Sequence, residues 1–198
     1  MFIIYLLIGY LLGSLPFALI VGKVFYHTDV RNFGSGNLGG TNAGRVLGKK
    51  AGAAVIVLDV LKCVLAIYLV SLFDKEASIW TGLFVCIGHC FPIFANFKGG
   101  KAVASMFGFL FAVSLFTVGN ILCFLIPFAC FFVCLYISKM VSLASMIAAI
   151  ASTISLLIFD VSTSIFIASL LMSILIIYRH RGNVKKILNK TESKISWM

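Results

Sequence analysis

Long apolar runs fill most of this 198-residue chain and limit how it can fold more than any other feature. A helix needs about 20 apolar residues to cross the hydrocarbon core of a bilayer. We predict seven such spans, at residues 2–24, 52–72, 79–95, 102–118, 121–137, 141–159 and 163–179. Hydrophobic residues make up 62% of the chain and charged residues 11%, which leaves too little polar surface for a soluble domain. The sequence therefore predicts an all-α integral membrane protein that forms one polytopic domain over residues 1–198.

Positive charge lies on one side of these predicted spans. All 16 Lys and Arg residues except Lys62 and Lys75 fall in segments that the alternating spans place on the same face. Because Lys and Arg favour the cytoplasmic side, we expect the N-terminus outside and the C-terminus in the cytoplasm. The first run has no basic start or small-residue cleavage site, so we expect a retained helix rather than a signal peptide. Membrane orientation thus accounts for the net charge of +10, without nucleic acid as a partner.

The six cysteines fall within or at the edges of apolar runs. In such places cysteine behaves as a small hydrophobic residue, so we do not expect structural disulfides. The sequence also has no Cys-x-x-Cys or His-x-x-x-His spacing, and we expect no metal site and no cofactor.

Three polar segments, at about 27–50, 88–101 and 179–194, are predicted to share the cytoplasmic face. The first contains a run of small residues from Gly34 to Arg45. Small residues let the backbone bend and present its N–H groups, and such loops bind phosphate oxygens. Arg45 adds a fixed charge with forked donors, so this segment is predicted to bind a phosphorylated molecule.

The second polar segment joins spans three and four. Pro92 is expected to end a helix, and Gly99 and Gly100 to free the backbone before Lys101. Lys101 would then lie at a helix N-terminus, which favours anions. The alternative is that Lys98 and Lys101 only anchor the helices at lipid headgroups. A glycine-rich loop on the same face favours the anion site.

The third polar segment follows the last span. His180 and Asn183 are three residues apart and would share one face of a helical turn. A histidine can exchange a proton near neutral pH, and an asparagine can orient a hydroxyl or carbonyl group. Glu192 is the only acidic residue of this tail, and we expect it to tether the tail rather than to catalyse.

Charged residues also occur inside the predicted second span. Asp59 and Lys62 are three residues apart, and charges inside a membrane are normally paired. We favour structural support over direct catalysis for this pair. His89, just inside the end of the third span, is expected to be structural as well.

Together these segments resemble the PlsY family of bacterial acyl-phosphate:glycerol-3-phosphate acyltransferases, over almost the whole chain. The motifs that carry the resemblance are Asp29-x-Arg31-x-x-Gly34-Ser35-Gly36-Asn37-x-Gly39-x-Thr41-Asn42-x-x-Arg45, Asp59-x-x-Lys62, Gly88-His89-x-x-Pro92, Phe97-Lys98-Gly99-Gly100-Lys101, Ser142-Leu143, Arg179-His180-x-x-Asn183 and Glu192. This sequence departs from the family's usual pattern at Gly40, Ala102 and Lys186, where Ala, Gly and Arg are common. None of the three changes removes a reactive group.

The resemblance implies transfer of a fatty acyl group from acyl phosphate to the 1-hydroxyl of glycerol 3-phosphate in the bacterial cytoplasmic membrane. The products would be lysophosphatidic acid and inorganic phosphate, without a metal or an acyl-carrier protein. We expect the acyl-phosphate head to contact Ser35, Gly36, Asn37, Thr41, Asn42 and Arg45, and glycerol 3-phosphate to contact Gly99, Gly100 and Lys101. His180 and Asn183 are expected to position the reacting groups, with His180 the best candidate base.

Two other functions fit parts of the pattern. Membrane acyltransferases that use thioesters carry a His-x-x-x-x-Asp pair, but the residues five after His27, His89 and His180 are Asn32, Phe94 and Lys185. A transporter of an organic phosphate would also suit glycine loops and broken helices. Its binding site would belong near the bilayer midplane, whereas these motifs are predicted at one face.

Overall fold

The computed structural model describes residues 1–195, and every regular element in this part of the chain is helical. Residues 196–198 of the predicted domain lie outside this range. The α-helices are α1 (Phe2–Gly13), α2 (Phe17–Tyr26), α3 (Gly40–Leu47), α4 (Lys49–Ser71), α5 (Lys75–Cys90), α6 (Val103–Val113), α7 (Leu122–Ser138), α8 (Val141–Ile158), α9 (Thr163–Arg179) and α10 (Arg181–Leu188). Short 3₁₀ turns occupy Val30–Asn32 and Ile93–Ala95, and a π-helical turn, Ser114–Val118, continues α6.

Each of the seven predicted spans is mostly helical, and the all-helical fold is confirmed for residues 1–195. Within residues 1–195, four helical stretches are long and apolar enough to cross a membrane: Phe2–Tyr26, Lys49–Ser71, Lys75–Ala95 and Val141–Ile158. A fifth is added if α9 and α10, which meet at an angle of 56°, form one broken span. The apolar stretches Val103–Val118 and Leu122–Ser138 are shorter. Seven crossings therefore remain a prediction.

Two local features differ from the predicted pattern. The first span is interrupted between Gly13 and Phe17, because Pro16 has no backbone N–H to continue the hydrogen bonds of α1. The glycine-rich segment expected to be an open loop is helical in its second half, where it forms α3. Arg45 therefore projects from a helix, which holds its backbone more rigidly than a loop would.

Small residues let the long helices approach closely. Gly9 and Gly13 of α1 face Thr81 and Val85 of α5, and a Cβ added at Gly9 would lie 2.5 Å from the Thr81 carbonyl oxygen. Close backbone approach through small residues is a common way of packing helices in membranes. Helix α4 packs against both α5 and α6, while α8 lies against α7 and α9. This bundle supports the three polar segments at one cleft.

Candidate functional site

Asn42 holds the first glycine-rich segment in shape. Its Nδ2 donates to the carbonyl oxygens of Val30 and Phe33, at 3.0 and 3.3 Å. Its Oδ1 accepts hydrogen bonds from the backbone N–H and the hydroxyl of Ser35, at 2.8 and 3.1 Å. The side chain is buried and does not line the cleft. Asn42 therefore has a structural role, because its amide is bonded within the loop, and the substrate contact predicted for it stays a prediction.

The same segment contains two residues with left-handed backbone conformation. Gly34 and Gly36 have φ values of +61° and +66°, which glycine adopts at little cost. The Gly36 N–H donates to the Phe33 carbonyl at 3.0 Å, so Gly36 shapes a turn. It is not among the residues that line the cleft, and its substrate contact stays a prediction. Before it, Asp29 pairs with Arg31 at 2.6 Å, and this hydrogen-bonded partner lowers the pKa of Asp29 to about 2.

Helix α3 lies close against α4. A Cβ added at Gly44 would be 3.6 Å from the Cα of Gly52, so the two backbones are nearly in contact at this point. This packing fixes the position of α3 and of the loop that enters it. Four of the residues predicted to bind substrate line the cleft from this segment: Ser35, Asn37, Thr41 and Arg45.

The Gly99–Gly100 pair is held from two sides. The N–H groups of Gly99 and Gly100 donate to the carbonyls of Cys90 and His89, at 3.2 and 3.0 Å. Their own carbonyls accept from the Arg179 guanidinium, at 3.0 Å for Gly99 and 3.1 Å for Gly100. These N–H groups are occupied and neither glycine lines the cleft, so the pair positions the backbone before Lys101, and the substrate contact predicted for it stays a prediction.

Glycine is required at position 100 for space. A Cβ there would overlap the imidazole ring of His89. Two residues later, Ala102 has a left-handed backbone with φ of +59°, which explains why glycine would suit that position better. Residues 99–102 thus form a tight turn, which places Lys101 at the cleft.

Lys101 and Asn183 meet across the cleft. Lys101 Nζ donates to Asn183 Oδ1 at 2.5 Å, and Asn183 Nδ2 donates to Glu192 Oε1 at 2.8 Å. Glu192 Oε1 also accepts from the Ser142 hydroxyl at 2.7 Å. Burial lowers the pKa of Lys101 to about 8, with Glu192 opposing the shift and nearby cations, among them Arg45, adding to it. The arrangement joins the second and third polar segments to the C-terminal tail.

His180 occupies the junction of α9 and α10, and its side chain is buried. Its Nδ1 lies 2.8 Å from the Ile176 carbonyl oxygen, which can only accept, so the neutral ring is protonated at Nδ1. Nε2 is then the unprotonated nitrogen, able to accept a proton. Burial, followed by the charge of Lys101, lowers the pKa of His180 to about 4, so the ring is neutral at pH 7.

A buried charged cluster forms the floor of the site. Asp59 Oδ1 lies 2.7 Å from Lys62 Nζ and 3.3 Å from His89 Nδ1. Lys62 Nζ also lies 3.0 Å from His89 Nδ1 and donates to the Leu15 carbonyl at 3.2 Å. Asp59 and His89 line the cleft, whereas Lys62 does not. In the described part of the chain, no group of three His, Cys, Asp or Glu side chains is arranged to hold a metal ion.

These segments enclose a cleft of about 290 Å³ with a polar and an apolar part. The polar part contains the predicted residues Ser35, Asn37, Thr41, Arg45, Asp59, Lys101, His180, Asn183 and Glu192. It also contains His89, Ser142 and Lys186, none of which the sequence singled out for the site. The apolar part is formed by Ile56, Val103, Phe107, Phe128, Phe131 and Phe132, together with smaller side chains.

Phenylalanines from α6 and α7 build the apolar wall. Phe107 makes edge-to-face contacts with Phe128 and Phe131, at centroid distances of 5.6 and 5.7 Å. Phe128 contacts Phe132 at 4.8 Å. Phe128 and Phe132 are 37% and 42% exposed, so this wall is continuous with the outer apolar surface of the helix bundle. The cleft can therefore accept an amphiphile with an anionic head.

A cation-lined pocket joined to an apolar groove, on a bundle of apolar helices, is the arrangement expected of membrane proteins that act on phosphorylated lipids. The family model described as glycerol-3-phosphate acyltransferase matches residues 3–190. The chain belongs to this family, and the resemblance predicted from the three motifs is confirmed.

Relatives and solved structures agree with this assignment. A glycerol-3-phosphate acyltransferase of Macrococcus caseolyticus (strain JCSC5402) is 48% identical over 193 residues, covering 97% of this chain and 96% of its own. That of Bacillus subtilis (strain 168) is 47% identical over 195 residues, covering 98% and 97%. The crystal structure of PlsY (YgiH), an integral membrane glycerol 3-phosphate acyltransferase, in its glycerol 3-phosphate form superposes with a TM-score of 0.91 at 34% identity, covering 98% of this chain and 96% of that one. Its lysophosphatidic acid form gives 0.89 at 32% identity, covering 98% and 95%.

Proposed function

We propose that the protein transfers a fatty acyl group from acyl phosphate to the 1-hydroxyl of glycerol 3-phosphate, the first step of phospholipid synthesis. The observation that carries this proposal is the single cleft in which cations face a phenylalanine-lined groove. Both substrates are phosphorylated, and one of them also has a long apolar chain. The membership in the glycerol-3-phosphate acyltransferase family supports the acceptor.

The donor phosphate is assigned to the first segment. Ser35, Asn37 and Thr41 offer hydrogen bonds, and Arg45 offers a forked guanidinium. As the acyl group is transferred, the bond between the carbonyl carbon and the phosphate oxygen breaks and charge builds up on the departing phosphate. Arg45 stabilises that charge. Gly36 and Asn42 contribute by holding the loop in its bonded shape.

The acceptor is assigned to the second and third segments. Lys101 binds the phosphate of glycerol 3-phosphate, while Gly99 and Gly100 fix the backbone that presents it. The 1-hydroxyl oxygen forms a bond to the acyl carbon and gives up its proton, which passes to His180 Nε2 or directly to the leaving phosphate. Asn183 holds Lys101 in place and helps to orient the reacting groups. The acyl phosphate is already activated, so positioning alone contributes much of the rate, on the order of 7–11 kcal/mol in favourable cases.

The acyl chain is assigned to the phenylalanine wall of α6 and α7. Burial of apolar surface is favourable by about 25 cal/mol per Å², so a chain lying along this wall adds affinity without chemistry. The wall meets the polar part near Val103 and Phe107. The carbonyl carbon of the donor would then lie between the apolar groove and the cations.

A direct test uses the purified chain with palmitoyl phosphate and glycerol 3-phosphate, with release of inorganic phosphate as the readout. We expect release that depends on glycerol 3-phosphate and yields lysophosphatidic acid in equal amount. Phosphate release without the acceptor would indicate a hydrolase. Movement of a phosphorylated molecule across liposomes without conversion would establish the transporter alternative.

The same reaction, carried out in sealed membrane vesicles, tests which side of the membrane the cleft faces. We infer that it opens to the cytoplasm, with the N-terminus outside, because the Lys and Arg residues cluster on that side. Glycerol 3-phosphate is charged and does not cross a bilayer. Inverted membrane vesicles should therefore turn over added substrate, whereas sealed right-side-out vesicles should do so only after permeabilisation. The reverse pattern would overturn the orientation.

The pKa of Lys101 predicts a pH dependence of substrate binding. Because its pKa is lowered to about 8, the ammonium group is present below that pH and is lost as the pH rises through it. The KM for glycerol 3-phosphate should therefore rise steadily between pH 7 and 9.5. The variant Lys101→Arg keeps its charge over this range, so its KM should stay flat. Equal profiles for the two proteins would exclude Lys101 as the titrating ligand.

A further inference from the structure

Lys186 lines the cleft, at a position where the resembled family commonly has Arg and for which the sequence predicted no role. It lies on α10 one helical turn after Asn183, which also lines the cleft. The 56° bend between α9 and α10 turns this face of α10 toward the site. The end of α10 is held as well, since the Thr191 N–H donates to the Lys186 carbonyl at 2.8 Å. The backbone that carries the Lys186 side chain is therefore held in place.

The charges around the cleft are unbalanced. Arg45, Lys101 and Lys186 reach it from three separate segments. Of the two acids that line it, Asp59 is already paired with Lys62 at 2.7 Å, which leaves Glu192. Three cations facing one carboxylate that is not in an ion pair repel one another, and a bound polyanion relieves that repulsion. Burial lowers the pKa of Lys101 most, and Glu192 opposes the shift. The charges of Arg179, Arg45 and Lys186 add to it.

We propose that Lys186 is a third cationic ligand for substrate phosphate, beside Arg45 and Lys101. The proposal rests on the acyl-transfer function, in which two phosphate groups occupy the cleft together. Two dianionic phosphates carry more charge than Arg45 and Lys101 can neutralise. Lys186 supplies the additional charge from the α10 side of the cleft. The phosphate it contacts belongs either to the acyl donor or to glycerol 3-phosphate.

The chain offers a matched control in the adjacent residue. Lys185 is exposed, as Lys186 is, and lies on the same helix, but it does not line the cleft. We would compare Lys186→Gln, Lys186→Arg and Lys185→Gln in the purified full chain. For each, the KM of both substrates, kcat and inhibition by inorganic phosphate would be measured. A hydrogen bond to a charged group contributes about 1.5–3 kcal/mol, which corresponds to roughly 10–100-fold in affinity.

We expect Lys186→Gln to raise one KM by about 10-fold or more and to weaken phosphate inhibition, and the affected substrate identifies which phosphate is bound. Lys186→Arg should keep most of the affinity, and Lys185→Gln should match the wild type. The proposal is overturned if Lys186→Gln matches Lys185→Gln in both KM values and in phosphate inhibition. Failure of the acyl-transfer function would instead appear as no acceptor-dependent turnover in the wild type. Protection by inorganic phosphate against thermal unfolding gives a second readout that needs no turnover.

Discussion

Replacing His180 with Ala is expected to lower kcat by about 10²–10⁴-fold, the usual contribution of a positioned general base. The physical reason is that burial keeps the ring neutral, with Nε2 free to accept the proton of the attacking hydroxyl. Because the pKa of His180 is lowered to about 4, the wild-type kcat should show no inflection near pH 6.5. Steady-state kinetics from pH 5.5 to 8 would measure both effects.

His27 provides a matched control. It is exposed, follows the last residue of α2 and does not line the cleft. His27→Asn should keep the wild-type kcat, since Asn tolerates the left-handed backbone found there. Circular dichroism and thermal unfolding of His180→Ala would show whether the fold survives loss of a buried ring. A folded His180→Ala protein with wild-type kcat would exclude the histidine from catalysis and leave the departing phosphate as the proton acceptor.

For Arg45→Ala we expect a loss of about 10²–10³-fold in kcat/KM, as is typical when one stabilising donor is removed from a developing negative charge. Inhibition by inorganic phosphate should weaken in parallel, because phosphate is the leaving group that Arg45 holds. Arg45→Lys should recover only part of the activity, since lysine keeps the charge but not the forked geometry. Initial rates over a matrix of both substrate concentrations would separate kcat from the two KM values.

Lys50→Ala is the appropriate comparison for Arg45. Lys50 is an exposed cation in the first turn of α4, only five residues from Arg45, and it does not line the cleft. Its removal changes the charge by the same amount as Arg45→Ala and should leave kcat/KM within about twofold, since an exposed charge outside the cleft contributes little. If Arg45→Ala behaved like Lys50→Ala, the first segment would not bind the donor phosphate.

Hydropathy was sufficient to place the long helices, because a chain in a bilayer must satisfy its backbone hydrogen bonds within helices. Helix α3 was missed for a physical reason. It contains Gly40 and Gly44, and glycine disfavours helix by about 1 kcal/mol relative to alanine. What stabilises α3 is its close contact with Gly52 of α4, a tertiary interaction that local sequence does not reveal.

The site was predicted as three segments, and the cleft does bring residues of all three together. The direction of individual polar groups could not be predicted. Gly99 and Gly100 are predicted phosphate ligands, and in the structure their carbonyls accept from Arg179, which lies 80 and 79 positions further along the chain. Asn42 likewise bonds to its own loop. Spacing indicates which segments meet, whereas the partner of each N–H depends on the packed structure.

The C-terminal tail has a consequence for how the chain can vary. Chain ends usually tolerate changes in length because they are loosely held. Here the Ile195 N–H donates to the Lys139 carbonyl at 2.8 Å, while Glu192 is bonded to Ser142 and Asn183. The tail is therefore a spacer of defined length between α10 and the turn that precedes α8. Insertions or deletions between Asn189 and Glu192 would move the carboxylate out of register, so this short stretch should tolerate substitution better than a change in length.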